Sequence, residues 1–284
     1  MTTRPMVAWA LTTILLAVTR AADMVFNAGA VGGVADHTLG GVVAGIASDA
    51  IHAGIVVWLA ARSCLRDPGR LLALVGVGLG FVVVNDLEAI VFSIAPAWPI
   101  VQLAAMGAVV HAVAAVVVAK LVPPPTDPTP ARSPLSGFTV AGIVARVAVL
   151  GLIYAVIYFV AGGAIYPFVR EFYASKPLPP AGLLFVLQAL VRGPLFVAIG
   201  ALVISMLRSS RSANALAVAV TLAGLGGLTA LLPPTPLFPD NVRLVHLAEV
   251  GISNAVFGWI VGWMLTPSRR AAAATLSPPA EEKA

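Results

Sequence analysis

Asp49 and His52 lie three residues apart in the run "GGVVAGIASDAIHAGIVVWLAA" (residues 40–61), which is otherwise almost wholly apolar. On a helix a three-residue step returns the side chain to the same face. Imidazole gains and loses its proton near neutrality, so beside a carboxylate it could relay a proton or hold half of a metal site. The same pair could also be a polar clasp tying this segment to its neighbours.

Other ionisable residues sit in comparable surroundings. His111 lies in a second apolar run, Asp86 and Glu88 in "NDLE", Arg192 directly before Gly193 and Pro194, and Glu249 five residues before Asn254. A charge at the centre of a hydrocarbon layer costs about 2.5–3.5 kcal/mol, so each is a candidate binding or coupling residue. At about 1.5 Å of rise per residue, Asp49, His52 and His111 fall within about 3 Å of the midplane of their runs.

Asn85 and Glu88 share a helix face, whereas Asp86 and Glu88 point apart. At least one of the two acids therefore needs a different neighbour, a water-filled cavity or a proton, unless the helix ends early and leaves "NDLE" at an interface. Arg243, His246, Glu249 and Ser253 form a polar stripe, with Asn254 off it. Pro194 has no N–H for the carbonyl of Leu190, which kinks or breaks the helix there. Glu249 is the preferred ion-pair partner for Arg192, and Asp49 the second choice.

The elements that position these groups follow from composition. Of 284 residues, 60% are hydrophobic and 10% charged, with mean hydropathy +0.98. A soluble domain carries about 25% charged residues, so much of this surface must face lipid. Eight runs, at 6–26, 41–61, 71–94, 99–121, 138–165, 182–207, 213–232 and 243–265, approach or exceed the ~20 residues that span a bilayer as a helix. The expected class is an all-α membrane protein.

With the N-terminus placed in the cytoplasm, the inner segments hold eleven Lys and Arg residues, the outer segments three (Arg170, Lys176 and Arg243), and the spans three. That asymmetry puts both termini on the cytoplasmic side of a bacterial cytoplasmic membrane. The opening "MTTRPMVAWALTTILLAVTRAADM" also has features of a signal peptide, but Arg20 falls close to where cleavage would occur. The single Cys64 excludes an intramolecular disulfide and any cysteine-based metal cluster.

Gly54–Gly80 aligned on Gly200–Gly226 gives eight identities in 27 positions, including Arg62 with Arg208 and "GLG" with "GLG". Residues 101–123 on 245–267 give seven in 23. The chain thus divides into a first four-helix repeat (1–122), a proline-rich linker (123–137), a second four-helix repeat (138–267) and a polar tail (268–284). An even number of spans per half makes the repeats parallel. Their polar residues differ: Asp49 aligns with Leu195, His111 with Ala255 and Glu249 with Ala105. One composite site is expected, not two equivalent ones.

The stretches "PFVREFY", "LVRGPLFV" and "RLVHLAEVGISNAVFGWIVGWML" resemble a group of bacterial multi-pass membrane proteins with no assigned activity, over roughly residues 150–266. The resemblance implies the topology and carries over no catalytic residue.

Three functions compete. A small-solute or ion transporter would use Asp49, His52, Asp86, Glu88, His111, Arg192, Glu249 and Asn254 near the seam between the repeats. A non-catalytic membrane subunit or assembly factor would use them as helix locks. An intramembrane metalloenzyme would gather Asp49, His52, His111 and Glu88 around zinc. The expected partners are the lipid bilayer and a small solute or cation. No cofactor and no nucleic acid is expected, because the basic residues sit in loops and nothing fits a phosphate-binding glycine loop. "NAGAVGGVADHTLGG", with Asp36 and His37, is read as a flexible loop or a cap.

Overall fold

A computed structural model describes residues 3–27, 38–94, 97–124, 138–207, 209–235 and 237–267. The Asp36–His37 loop, the core of the linker and the tail lie outside them. The long elements are eight helices: α1 (Thr3–Asn27), α2 (Leu39–Arg62), α3 (Gly69–Val91), α4 (Ala97–Leu121), α5 (Val140–Ala174), α6 (Ala181–Met206), α7 (Arg211–Leu231) and α8 (Asp240–Leu265). Seven of them, α2 to α8, have described stretches long and apolar enough to cross a membrane. The chain has the make-up of a multi-pass helical membrane protein, and side chains such as Val160, Ile252 and Trp259 stay exposed on its flanks, as lipid contact requires.

Helix starts follow capping chemistry. Thr38, Thr139 and Ser210 each accept a hydrogen bond from a first-turn N–H of α2, α5 and α7. "NDLE" is fully helical, as the run 71–94 implies, because α3 continues to Val91 and does not end early. One element differs from expectation. α5 runs nine residues beyond the expected 165, with Pro167 inside it. Its 35 residues extend about 52 Å, well beyond a hydrocarbon layer of about 30 Å. "PFVREFY" is therefore helix, where the drop in hydropathy reads as a loop.

Within the first four helices α1 packs on α2 and α4, and α3 on α4. Within the last four α5 packs on α6 and α8, and α7 on α8. Across the halves α3 meets α6 and α2 meets α7. At one end the turns after α2 and α6 join: Cys64 donates its N–H to the carbonyl of Met206 (2.7 Å), and Ser63 bridges Leu207. Arg62, Arg66, Arg70, Lys120 and Arg211 make this the basic end. Arg70, fully buried, donates to the carbonyl of Ala119 (2.6 Å) and holds α4 there.

The half of the bundle next to the basic end is solidly packed. Leu59, Val77, Val118, Ile199, Val203, Met206 and Val261 are all nearly inaccessible. Phe196 and Phe257 close this core toward the middle, with Tyr154 between them at ring distances of 5.2 and 4.9 Å. The opposite half is hollow.

Candidate functional site

The hollow is a cavity of about 680 Å³ whose walls come from all eight helices. Of the eight sequence candidates it brings together six: Asp49, His52, Asp86, Glu88, His111 and Glu249. Arg192 lies behind Glu88, and Asn254 lies outside the lining.

On one wall Arg20 of α1 reaches across to Asp49. Its Nη2–H donates to Oδ1 at 2.6 Å and its Nε–H to Oδ2 at 3.2 Å, a forked pairing that suits a guanidinium. Nη2–H also donates to Ser48 Oγ (3.2 Å), and that hydroxyl donates to the carbonyl of Thr229 (2.7 Å). One network thus ties α1, α2 and α7. Asp49 is therefore not the partner of Arg192. Residue counting places Arg20 toward the C-terminal end of the first apolar run, but its long side chain lies over Gly45, where an added Cβ would stand 3.4 Å from Arg20 Cδ.

His52 shares the helix face of Asp49, yet its ring meets that of His111 of α4 at a tilt of 54°, with ring centroids 4.8 Å apart. His111 Nδ1–H donates to the carbonyl of Gly107 (2.6 Å), the acceptor within reach, which leaves the lone pair of a neutral ring on Nε2. Gly78 makes room for this ring: a Cβ there would come within 2.7 Å of His111 Cβ.

On the other wall Arg192 pairs with Glu88, not with Glu249. Tyr158 donates its hydroxyl to the second oxygen of Glu88 (3.2 Å). The guanidinium lies 5.6–5.9 Å from the ring centres of Tyr154, Tyr158 and Phe196, within the range of cation–π attraction. Pro194 does not break α6. Gln188–Arg192 form a π-turn, in which the Gly193 N–H donates to the carbonyl of Gln188. Wide turns of this kind recur at functional sites, and this one carries Arg192 on its last residue.

Glu249 has another neighbour. His246 Nδ1 lies 3.4 Å from Glu249 Oε2, and Tyr173 meets His246 Nε2 at 2.9 Å. With the proton on Nδ1, the imidazole donates to the carboxylate and accepts from the phenol, forming a Tyr–His–Glu chain along the cavity wall. Asp86 lines the cavity with no hydrogen bond or ion pair among the described residues.

Asn254, buried between α7 and α8, holds a backbone carbonyl. Its Nδ2–H donates to the carbonyl of Leu222 (3.3 Å), where a second π-turn, Gly224–Leu228, displaces the regular ladder of α7. Asn254→Ala is expected to cost about 0.5–1.5 kcal/mol in a detergent unfolding titration and to leave ligand binding unchanged.

Arg20, Ser48, Tyr158, Tyr173 and His246 are the site residues that sequence reasoning missed. Two of them left a signal: Ser48 adjoins Asp49, and His246 stands three residues before Glu249 in the polar stripe. Among the described residues no three of His, Cys, Asp and Glu are grouped to hold a metal ion. Fold and site together define a multi-pass helical membrane protein with a mostly apolar cavity, into which a few ionisable side chains are set. No family model, curated protein or solved structure matches the chain.

Proposed function

We propose that this chain carries a small solute or ion across a membrane, with the cavity as its binding site. The observation that carries this reading is the cavity itself: about 680 Å³, within the range of about 300–1,000 Å³ typical of small-molecule sites, and lined by ionisable groups from both halves. A hollow half next to a solidly packed half is the shape of a carrier resting open to one side. The basic end is the cytoplasmic one by its Lys and Arg content, so the cavity faces outward.

In this reading α1 is an eighth span and the halves are parallel four-helix repeats. Their neighbour pattern supports this. Moving each helix of the first half to its counterpart four places on turns α1–α2, α3–α4 and α1–α4 into α5–α6, α7–α8 and α5–α8, and turns α3–α6 into α7–α2. Gly80 of α3 admits Ile199 of α6, and Gly224 of α7 admits Ile55 of α2. The repeats would then rock about the cavity. The groups available for coupling are Asp86 and the Tyr173–His246–Glu249 chain, because Asp49 is held by Arg20.

The test uses Gly162, which lines the cavity and where an added Cβ meets no atom within 4 Å. Proteoliposomes on a solid-supported membrane are challenged with cationic, neutral and anionic organic solutes. At least one class should give a saturable transport current, or a saturable uptake of labelled solute where the movement is electroneutral, that Gly162→Trp abolishes without changing the gel-filtration profile. The absence of both would sink the proposal.

The second reading, a non-catalytic subunit, draws on the Arg20–Asp49 and Arg192–Glu88 pairs, each of which joins different helices. It predicts that Asp49→Asn lowers the melting temperature in detergent while every flux stays as in the wild type. Zinc catalysis draws no support from this geometry.

A further inference from the structure

We infer that the cavity selects an organic cation with an apolar body, an alkyl- or aryl-ammonium. This deepens the transport reading, from which it takes the cavity as the substrate site.

The charge balance of the walls comes first. Asp49, Asp86, Glu88 and Glu249 line the cavity, against Arg20 as the one described guanidinium among them. Arg20 answers Asp49, and Arg192, from behind the wall, answers Glu88. Asp86 in the first half and Glu249 in the second keep no cationic partner beyond the imidazole of His246. Carboxylates at membrane depth are costly until a positive charge comes to them. A bound cation supplies that charge, whereas an anion would find the one lining guanidinium already engaged by Asp49 and Ser48.

The remaining wall determines what surrounds the charge. Phe92, Tyr173, Phe238 and His246 form connected ring contacts at 5.7–6.0 Å, and all four line the cavity. Aromatic faces attract organic cations and cover their apolar parts. A bare metal ion fits poorly, since it needs a tight oxygen cage and the space here is far larger. An independent observation is His52: only 9% exposed, lining the cavity, and without a hydrogen-bond partner among the described residues. In its neutral form one ring nitrogen offers a lone pair, as His111 Nε2 does beside it, and an ammonium N–H can donate to either.

The probes are tetraphenylphosphonium and tetraphenylborate, which have one shape and opposite charge. Binding of each is measured by equilibrium dialysis to the full chain in nanodiscs, with empty nanodiscs subtracted. The cation should bind saturably at one site per chain and the anion should not. Asp86→Asn and Glu249→Gln should each weaken cation binding about tenfold or more, and Asp86→Glu should stay within about threefold. Equal binding of both probes, or cation binding unchanged in the two neutralised variants, overturns the inference. If Asp86→Asn does not fold, Glu249→Gln and Asp86→Glu still decide the matter. Saturable cation binding with no flux of any solute class would uphold the site and remove the transport reading. Flux of an anionic or neutral solute with no cation binding would do the reverse.

Discussion

Glu88→Leu is expected to destabilise the protein by about 3–5 kcal/mol in reversible unfolding from detergent, Arg192→Met by about half as much, and the double variant by no more than about 2 kcal/mol. The order follows from where each partner sits. The Arg192 side chain is 6% exposed and that of Glu88 29%. Removing the carboxylate leaves a guanidinium enclosed by α3, α5 and α6, with the rings of Tyr154, Tyr158 and Phe196 beside it and no other described carboxylate paired to it. Its Nε already lacks a partner, so the loss falls on a group with no reserve. Removing the guanidinium instead leaves a carboxylate that reaches the cavity and can be hydrated there. Removing both takes the stranded charge away, and apolar side chains of similar size fill the space. A double variant that simply adds the two single losses would mean that Arg192 and Glu88 act independently, and the pairing would be wrong.

That pairing also marks how far the sequence reaches. The long helices are legible because a helix in lipid has few alternatives, and runs of about 20 apolar residues are hard to miss. Which ionisable residues gather in one place is legible for the same reason: Asp49, His52, Asp86, Glu88, His111 and Glu249 stand out against hydrocarbon, and all six line one cavity. Partner choice is not legible. It depends on which helices are neighbours and on how each is rotated, and neither is written in the periodicity of one segment. Arg192 takes Glu88 because α6 lies against α3 and α5, while Glu249 on α8 turns to His246 and Tyr173.

Long side chains add a second difficulty. Arg20 is assigned toward the C-terminal end of the first apolar run by residue counting, but its guanidinium acts at the level of Asp49. Tyr173 sits where falling hydropathy reads as a loop, so its place on a helix opposite His246 emerges only in three dimensions. Pro194 illustrates the third. The missing N–H is plain in the sequence, and a break is the simplest outcome, but a π-turn re-pairs the backbone and carries Arg192 to Glu88 without ending the helix.

That π-turn depends on a close crossing, and Gly151→Ala should damage it severely. A Cβ on Gly151 would lie 2.1 Å from the carbonyl oxygen of Ala189, and one on Gly193 would lie 2.9 Å from Gly151 Cα. Small residues let membrane helices approach this closely. A backbone carbonyl cannot swing aside as a side chain can, so α5 must move off α6. The expected cost is about 3 kcal/mol or more, at the upper end of overpacking, read as a lower melting temperature and a dispersed gel-filtration peak. Gly162→Ala on the same helix is the control: its added Cβ meets nothing within 4 Å, so helix propensity alone should make it neutral or stabilising by up to about 1 kcal/mol. Displacing α5 would also carry Tyr154 and Tyr158 away from Arg192, so cation binding should fall in Gly151→Ala and persist in Gly162→Ala. If both variants melt with the wild type, α5 and α6 do not touch at this glycine, and the placement of Arg192 behind Glu88 loses its support.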